Sequence, residues 1–107
     1  MEIKFQKEYL SDLYTGNIKP YKEYKSNPQL VKQYVKTINT LKSVTRIEQL
    51  YQLKSLHYEK KIGNLNGVSA VYVNKQYRIL FNEVASVEDG LEIDILEIED
   101  LSKHYEN

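Results

Sequence analysis

The apolar residues of this chain change period partway along it. Leu30, Val31, Tyr34, Val35, Ile38 and Leu41 recur at helical spacing and give one apolar face. Beyond Gly67 the runs become β-rich: Val68 to Val73, Tyr77 to Val84, then Leu91 to Ile98, where Leu91, Ile93 and Ile95 alternate with Glu92 and Asp94. A side-chain period of 3.6 buries one stripe of a helix, and a period of two buries one face of a strand. Glu2 to Phe5 adds a short strand at the start. The order is strand, helices, then a three-strand meander. It implies an α+β fold, compact, with the N-terminal strand and helices packed on one face of a mostly antiparallel sheet.

Local signals divide the chain further. Gln6 to Tyr14 reads as a short helix ended by Gly16, and Gly16 to Ser26 as a polar connection rich in Tyr and Lys, with Pro20 inside it. Asn27-Pro28 is a helix start, Asn as N-cap and Pro at the first helical position. Thr45-Arg46-Ile47-Glu48 has capping-box spacing and opens a second helix. That helix is expected to bury Ile47, Leu50, Tyr51 and Leu53 and to fade near Leu56. Gly63 to Gly67 is a turn-rich break, Asn74-Lys75-Gln76 a hairpin turn, and Ala85 to Gly90 a second turn. No linker interrupts the 107 residues, so residues 1–107 are expected to form a single domain.

The chain has no Cys, which excludes disulfides and thiolate metal sites and fits the cytoplasm. No apolar run approaches the ~18 residues of a membrane helix, and no signal-peptide pattern opens the chain. The formal net charge of zero conceals a split. Residues 1–78 carry 14 Lys and Arg against 6 Asp and Glu, whereas residues 79–107 carry 1 Lys against 9 acids. Either the first part offers a basic surface to a polyanion, or the two parts neutralise each other in the fold. Ten tyrosines accompany no Trp and two Phe. Tyr21, Tyr24 and Tyr58 lie near Lys22, Lys25 and Lys60, an arrangement suited to stacking bases while cations hold phosphates. Packing at the edge of the core is the plainer expectation for most of them.

Cutting RNA without a metal needs a base for the ribose 2′-OH, cations for the charge on the phosphorane, and an acid for the leaving 5′ oxygen. Arg78 sits in an apolar strand, sharing a face with Leu80 and Asn82, and can grip a phosphate with two parallel hydrogen bonds. The rival reading is an edge arginine paired with acids of the last strand. His104 and Tyr105 follow that strand, and a histidine there can serve as acid or base. Their rival is a solvated chain end. Glu59 or His57 can be the base, and Lys60 and Lys61 can bind phosphate or simply solubilise a loop. Two histidines make no zinc site, and neither a P-loop nor a dinucleotide fingerprint is present. The sequence calls for no cofactor.

Several stretches carry a resemblance to a known family. They are Glu59-Lys60-Lys61, Asn64-Leu65-Asn66-Gly67, the hairpin from Val71 to Phe81, and the terminal His104-Tyr105. From about Ile3 to Tyr105 the chain resembles the HigB-like branch of the RelE/ParE superfamily of bacterial toxins. The resemblance implies a compact RelE-like fold. It also implies the toxin component of a type II toxin–antitoxin module, a cytoplasmic mRNA interferase that cuts mRNA on the ribosome and leaves a 2′,3′-cyclic phosphate. It implies a HigA-like helix-turn-helix antitoxin, with operator DNA reached only through that partner, and no membrane. By position it implies Arg78 on the scissile phosphate, His104 as general acid with Tyr105 beside it, Glu59 or His57 as base, and Tyr58, Lys60 and Lys61 on RNA. Members often carry an arginine where this chain has Tyr72. Two alternatives are a ParE-like toxin that acts on DNA gyrase without cutting RNA, and an inert antitoxin-binding relic.

Overall fold

The computed structural model describes residues 1–60 and 67–103. The elements are β1 (Glu2–Phe5), α1 (Glu8–Thr15), α2 (Lys22–Lys25), α3 (Pro28–Ser43), α4 (Glu48–Gln52), a 3₁₀ turn (Lys54–Leu56), β2 (Glu59–Lys60), β3 (Val68–Tyr72), β4 (Tyr77–Glu88) and β5 (Leu91–Lys103). The strands form one sheet in the order β1-β5-β4-β3-β2. Only the β1–β5 pairing is parallel among the described residues. This is the expected α+β arrangement, with the meander extended by a strand on each side.

Gly16 adopts a left-handed φ of 93° and closes α1, the conformation a glycine tolerates without a Cβ clash. The side chain of Asn27 accepts from the Leu30 amide, and Pro28 opens α3. The buried face of α3 comprises Leu30, Tyr34, Thr37, Ile38 and Leu41. Tyr34 is fully buried, and its hydroxyl donates to the Leu10 carbonyl at 2.7 Å, joining α3 to α1. Burial of a phenol requires such a partner. Against this layer the sheet presents Val71, Ile79, Phe81, Leu96, Ile98 and Leu101.

Several details differ from the sequence reading. The polar connection before Asn27 contains the four-residue α2, which buries Tyr24. The expected capping box is replaced by Gln49, whose side-chain oxygen accepts from the amides of Thr45 and Arg46. Tyr51 is 59% and Leu53 37% exposed, because α4 ends at Gln52 and turns only Leu50 fully inward. Ala85 to Glu88 is strand and not turn. The turn is Asp89-Gly90, with φ of 51° and 78°, the positive pair that suits a two-residue hairpin. β4 and β5 therefore run beyond the helices as a two-stranded arm, with Leu91 69% exposed. Leu91, Ile93 and Ile95 lie on the opposite face from Leu96 and Ile98, since the apolar alternation changes phase between Ile95 and Leu96.

β5 is held where β1 stops. Beyond Phe5 its free edge is met by Tyr9, whose hydroxyl accepts from the Leu101 amide at 2.9 Å and donates to Asp100. Lys7 lies 3.7 Å from the same carboxylate. Leu101 is buried in the core, as an anchor for the last strand should be.

Candidate active site

Directly paired residues of neighbouring strands point to the same side of a sheet. One side of this sheet packs on the helices. On the other, the register opposes Tyr72 to Arg78, Ala70 to Leu80 and Val68 to Asn82. Glu59 is opposite Ala70, so it joins that open side, and Arg78 is opposite Ser102. The acids of β5 are thus not placed across from Arg78.

The hairpin turn fixes this register. Asn74 Oδ1 accepts from the amides of Gln76 and Tyr77 at 2.8 and 2.9 Å, and the Val73 amide donates to the Tyr77 carbonyl. With the turn closed by its own Asn, Tyr72 and Arg78 become cross-strand neighbours. The Arg78 guanidinium carbon lies 4.0 Å from the centroid of the Tyr72 ring. Arg78 is only 7% exposed, and its Nε and Nη1 are buried with no hydrogen-bond partner among the described residues. A guanidinium stays charged at any working pH. Burying it against a ring that offers no lone pair leaves donors unmet, a costly arrangement unless an anion arrives.

His57 joins the same group. Its ring lies 4.1 Å from that of Tyr72, with the planes 29° apart. Continuing the register from Glu59–Ala70 puts position 57 across from Tyr72, so His57, Tyr72 and Arg78 stand in one cross-strand row. His57 has a φ of 47°, a sparsely populated region for a residue that is not glycine. Such strain is often kept where a side chain must be aimed. The next row contains Glu59, Ala70 and Leu80. From strand spacing and rise, the Cα atoms of Glu59 and Arg78 are roughly 12 Å apart, a gap that two long side chains on one face can narrow around a bound group. Beside the row, a cavity of about 270 Å³ lies between α3 and β3, lined by Lys36, Thr40, Ser55, Leu56 and Tyr72 among others.

The remaining sequence candidates divide. Tyr58 is 9% exposed and packed on Phe81 and Tyr51, and its hydroxyl donates to Glu83. Burial and that bond push its ionisation well above the usual phenol range. Its ring is not free to stack on a base, which corrects its reading as an RNA contact. Tyr24 is likewise buried, and Tyr21 donates to Asp12. Lys60 is exposed on the helix-packed side of the sheet and lies 3.4 Å from Glu83. It is therefore not an unengaged phosphate ligand. Lys61, His104 and Tyr105 lie outside the described residues. Two further residues matter. Tyr72 was readable from the hairpin, because a symmetric turn about Lys75 sets it opposite Arg78. Glu83 had a weaker signal, a carboxylate two positions beyond Phe81 on the core side. No group of three His, Cys, Asp or Glu among the described residues could hold a metal ion. No described helix is long and apolar enough to cross a membrane.

This arrangement has the compact α+β fold of the RelE/YoeB type of toxin. The YoeB/ParE toxin from Agrobacterium tumefaciens superposes with a TM-score of 0.54 at 16% identity, over 98% of this chain and 100% of that one. The YoeB–YefM complex from Staphylococcus aureus has a TM-score of 0.49 at 22% identity, over 98% of each chain. A YafQ mutant from E. coli has a TM-score of 0.48 at 12% identity, over 95% of this chain and 91% of that one. No family model and no curated protein matches the sequence. At 16% identity the likeness to the first of these is one of fold alone, and function has to be argued from the site.

Proposed function

We propose that this protein is the toxin of a type II toxin–antitoxin module, of the HigB-like branch of its superfamily, and that it cleaves mRNA on the ribosome without a metal. The observation that carries the reading is Arg78, a buried cation on the open side of the sheet whose Nε and Nη1 have no hydrogen-bond partner among the described residues. A phosphate would meet them. In the reaction, Glu59 or His57 takes the proton of a ribose 2′-OH. The 2′ oxygen bonds to phosphorus, and Arg78 neutralises charge on the phosphorane. The P–O5′ bond then breaks, leaving a 2′,3′-cyclic phosphate, and the departing 5′ oxygen takes a proton from His104. The ring of Tyr72 gives an aromatic surface beside the phosphate, and Lys61 and Tyr105 complete the contacts with RNA.

The path of β5 supports the role of His104. Lys103 pairs with Tyr77 and Ser102 with Arg78, so the last described residue of β5 stands one residue pair from Arg78. The charge split of the sequence supports a partner that covers the basic part, here an antitoxin. The test is primer extension on a defined mRNA with purified ribosomes, comparing wild type with Arg78→Ala. Cuts by the wild type that vanish in the folded variant support the reading. Intact mRNA with the wild type, together with inhibited DNA gyrase, would move it to the ParE-like alternative.

A further inference from the structure

We propose that Glu83 is a positioning residue, which holds the segment carrying His57 and Glu59 against the sheet. This rests on the RNA-cleavage reading above. The described part of β2 is two residues long and pairs with β3 on one side only, a short ladder for an edge strand. Glu83, on β4, supplies what the ladder lacks. Its Oε2 accepts from the hydroxyls of Tyr58 and Ser69, and its Oε1 faces Lys60 at 3.4 Å. Tyr58 and Lys60 are the immediate neighbours of Glu59. One carboxylate therefore ties down both sides of that residue, and through Ser69 it also binds the intervening strand.

The side on which this happens matters. Lys60, Ser69 and Phe81 are cross-strand partners on the helix-packed side, and Glu83 follows Phe81 there. Gripping Lys60 from this side turns Glu59 to the open side, where Arg78 stands. The alternation Ile79, Phe81 would be continued by an apolar residue at 83, which would pack without a desolvation cost. The chain instead places a largely buried carboxylate there, its side chain 20% exposed. Hydrogen bonds to an ionised acceptor are about twice as strong as neutral ones and more directional, which suits a group whose task is placement.

The test compares wild type with Glu83→Gln, Tyr58→Phe and the double variant, with Glu88→Gln on the exposed arm as control. Four quantities are measured: kcat and KM for ribosome-dependent cleavage of one mRNA, amide exchange at residues 59–60 against β4 and β5, and the melting temperature. Misplacing a reacting group by ~1 Å lowers kcat by up to about 10²-fold, so a fall of about 10- to 100-fold is expected with KM unchanged. Exchange should quicken in β2 alone, and the double variant should be little worse than Glu83→Gln, because the Tyr58 contact is one of the three that this substitution already weakens. Wild-type kcat and wild-type β2 exchange in Glu83→Gln would overturn the proposal. So would exchange that quickens equally in every strand with a lower melting temperature, the mark of general core support. A wild type that cuts no RNA defeats the activity reading, while β2 exchange still decides whether Glu83 holds the segment.

Discussion

Tyr72 stands directly opposite Arg78 across the β3–β4 ladder, and its ring centroid lies 4.0 Å from the guanidinium carbon. The ring answers the charge of the arginine but none of its N–H groups. It also engages His57. Tyr72 is an aromatic link between a candidate base and a buried cation. The site is thus organised around one buried charge and one stacking surface.

Arg78 is expected to trade stability for activity. Arg78→Met keeps much of the volume and removes a buried charge whose Nε and Nη1 have no partner among the described residues, so the melting temperature should hold or rise. Cleavage should fall on the order of 10²- to 10³-fold, as when one charge-stabilising donor is removed from such a site. Arg78→Lys should recover part of the rate, because a point charge lacks the planar fork. Thermal melts and primer extension on the same preparations check both arms. Full activity in folded Arg78→Met would remove the residue from the mechanism.

Tyr72 is expected to act through its ring. Tyr72→Ala should cost about 0.5–2 kcal/mol from the lost cation–π contact, measured by denaturant unfolding, and should slow cleavage. Tyr72→Phe keeps the stack and should match wild type in both assays. A large defect in Tyr72→Phe would instead assign work to the hydroxyl.

The last four residues should be needed for chemistry and not for folding. Leu101 and the Tyr9 hydroxyl already secure β5. Deleting His104 to Asn107 is therefore expected to leave the melting temperature nearly unchanged and to abolish cleavage. His104→Gln should lose about 10²-fold or more, typical of an acid–base group. Normal cutting by the truncated protein would end the role of His104 and Tyr105.

Alkali should unfold the protein through its tyrosines. Tyr24 is pushed up to about 12 from the usual 10.0, first by burial and then by nearby Glu23. Tyr9, Tyr34 and Tyr58 are raised further, with burial again the leading cause. In each case the folded state holds its proton more tightly than the unfolded one. The stabilisation is fully present below pH 10 and is lost as pH rises through the folded values. Phenolate absorbance should therefore lag behind that of free tyrosine and then rise together with the loss of helical circular dichroism. Independent titration of all tyrosines in a fully folded protein would contradict this.

Much of the architecture was legible because local and global signals agree. Asn27-Pro28 starts α3, Gly16 ends α1, and the change of apolar period separates helix from sheet. The Asp89-Gly90 turn was misplaced because Ala85, Ser86 and Glu88 lack strand-like side chains. Pairing with β5 overrides their propensity. Tyr51 was misjudged because α4 is a short helix that turns only Leu50 fully inward. At the site, Arg78 was readable from an out-of-place charge in an apolar strand. Its environment was not, since burial depends on three strands meeting. Tyr58 looked like a base-stacking residue in sequence, but its surroundings are Phe81, Tyr51 and Glu83.

The arm formed by β4 and β5 gives the molecule a built-in measuring rod. Glu88 lies ten residue steps along β4 from Arg78, so the tip stands roughly 33 Å from it along the strand. It is exposed, and the register places it far from Arg78, Tyr72 and Glu59. The chain also lacks cysteine altogether, so a thiol introduced by Glu88→Cys would be its sole attachment point for a thiol-specific fluorophore or spin label. A dye carried there can follow docking on a large target by distance alone, leaving the reacting surface untouched.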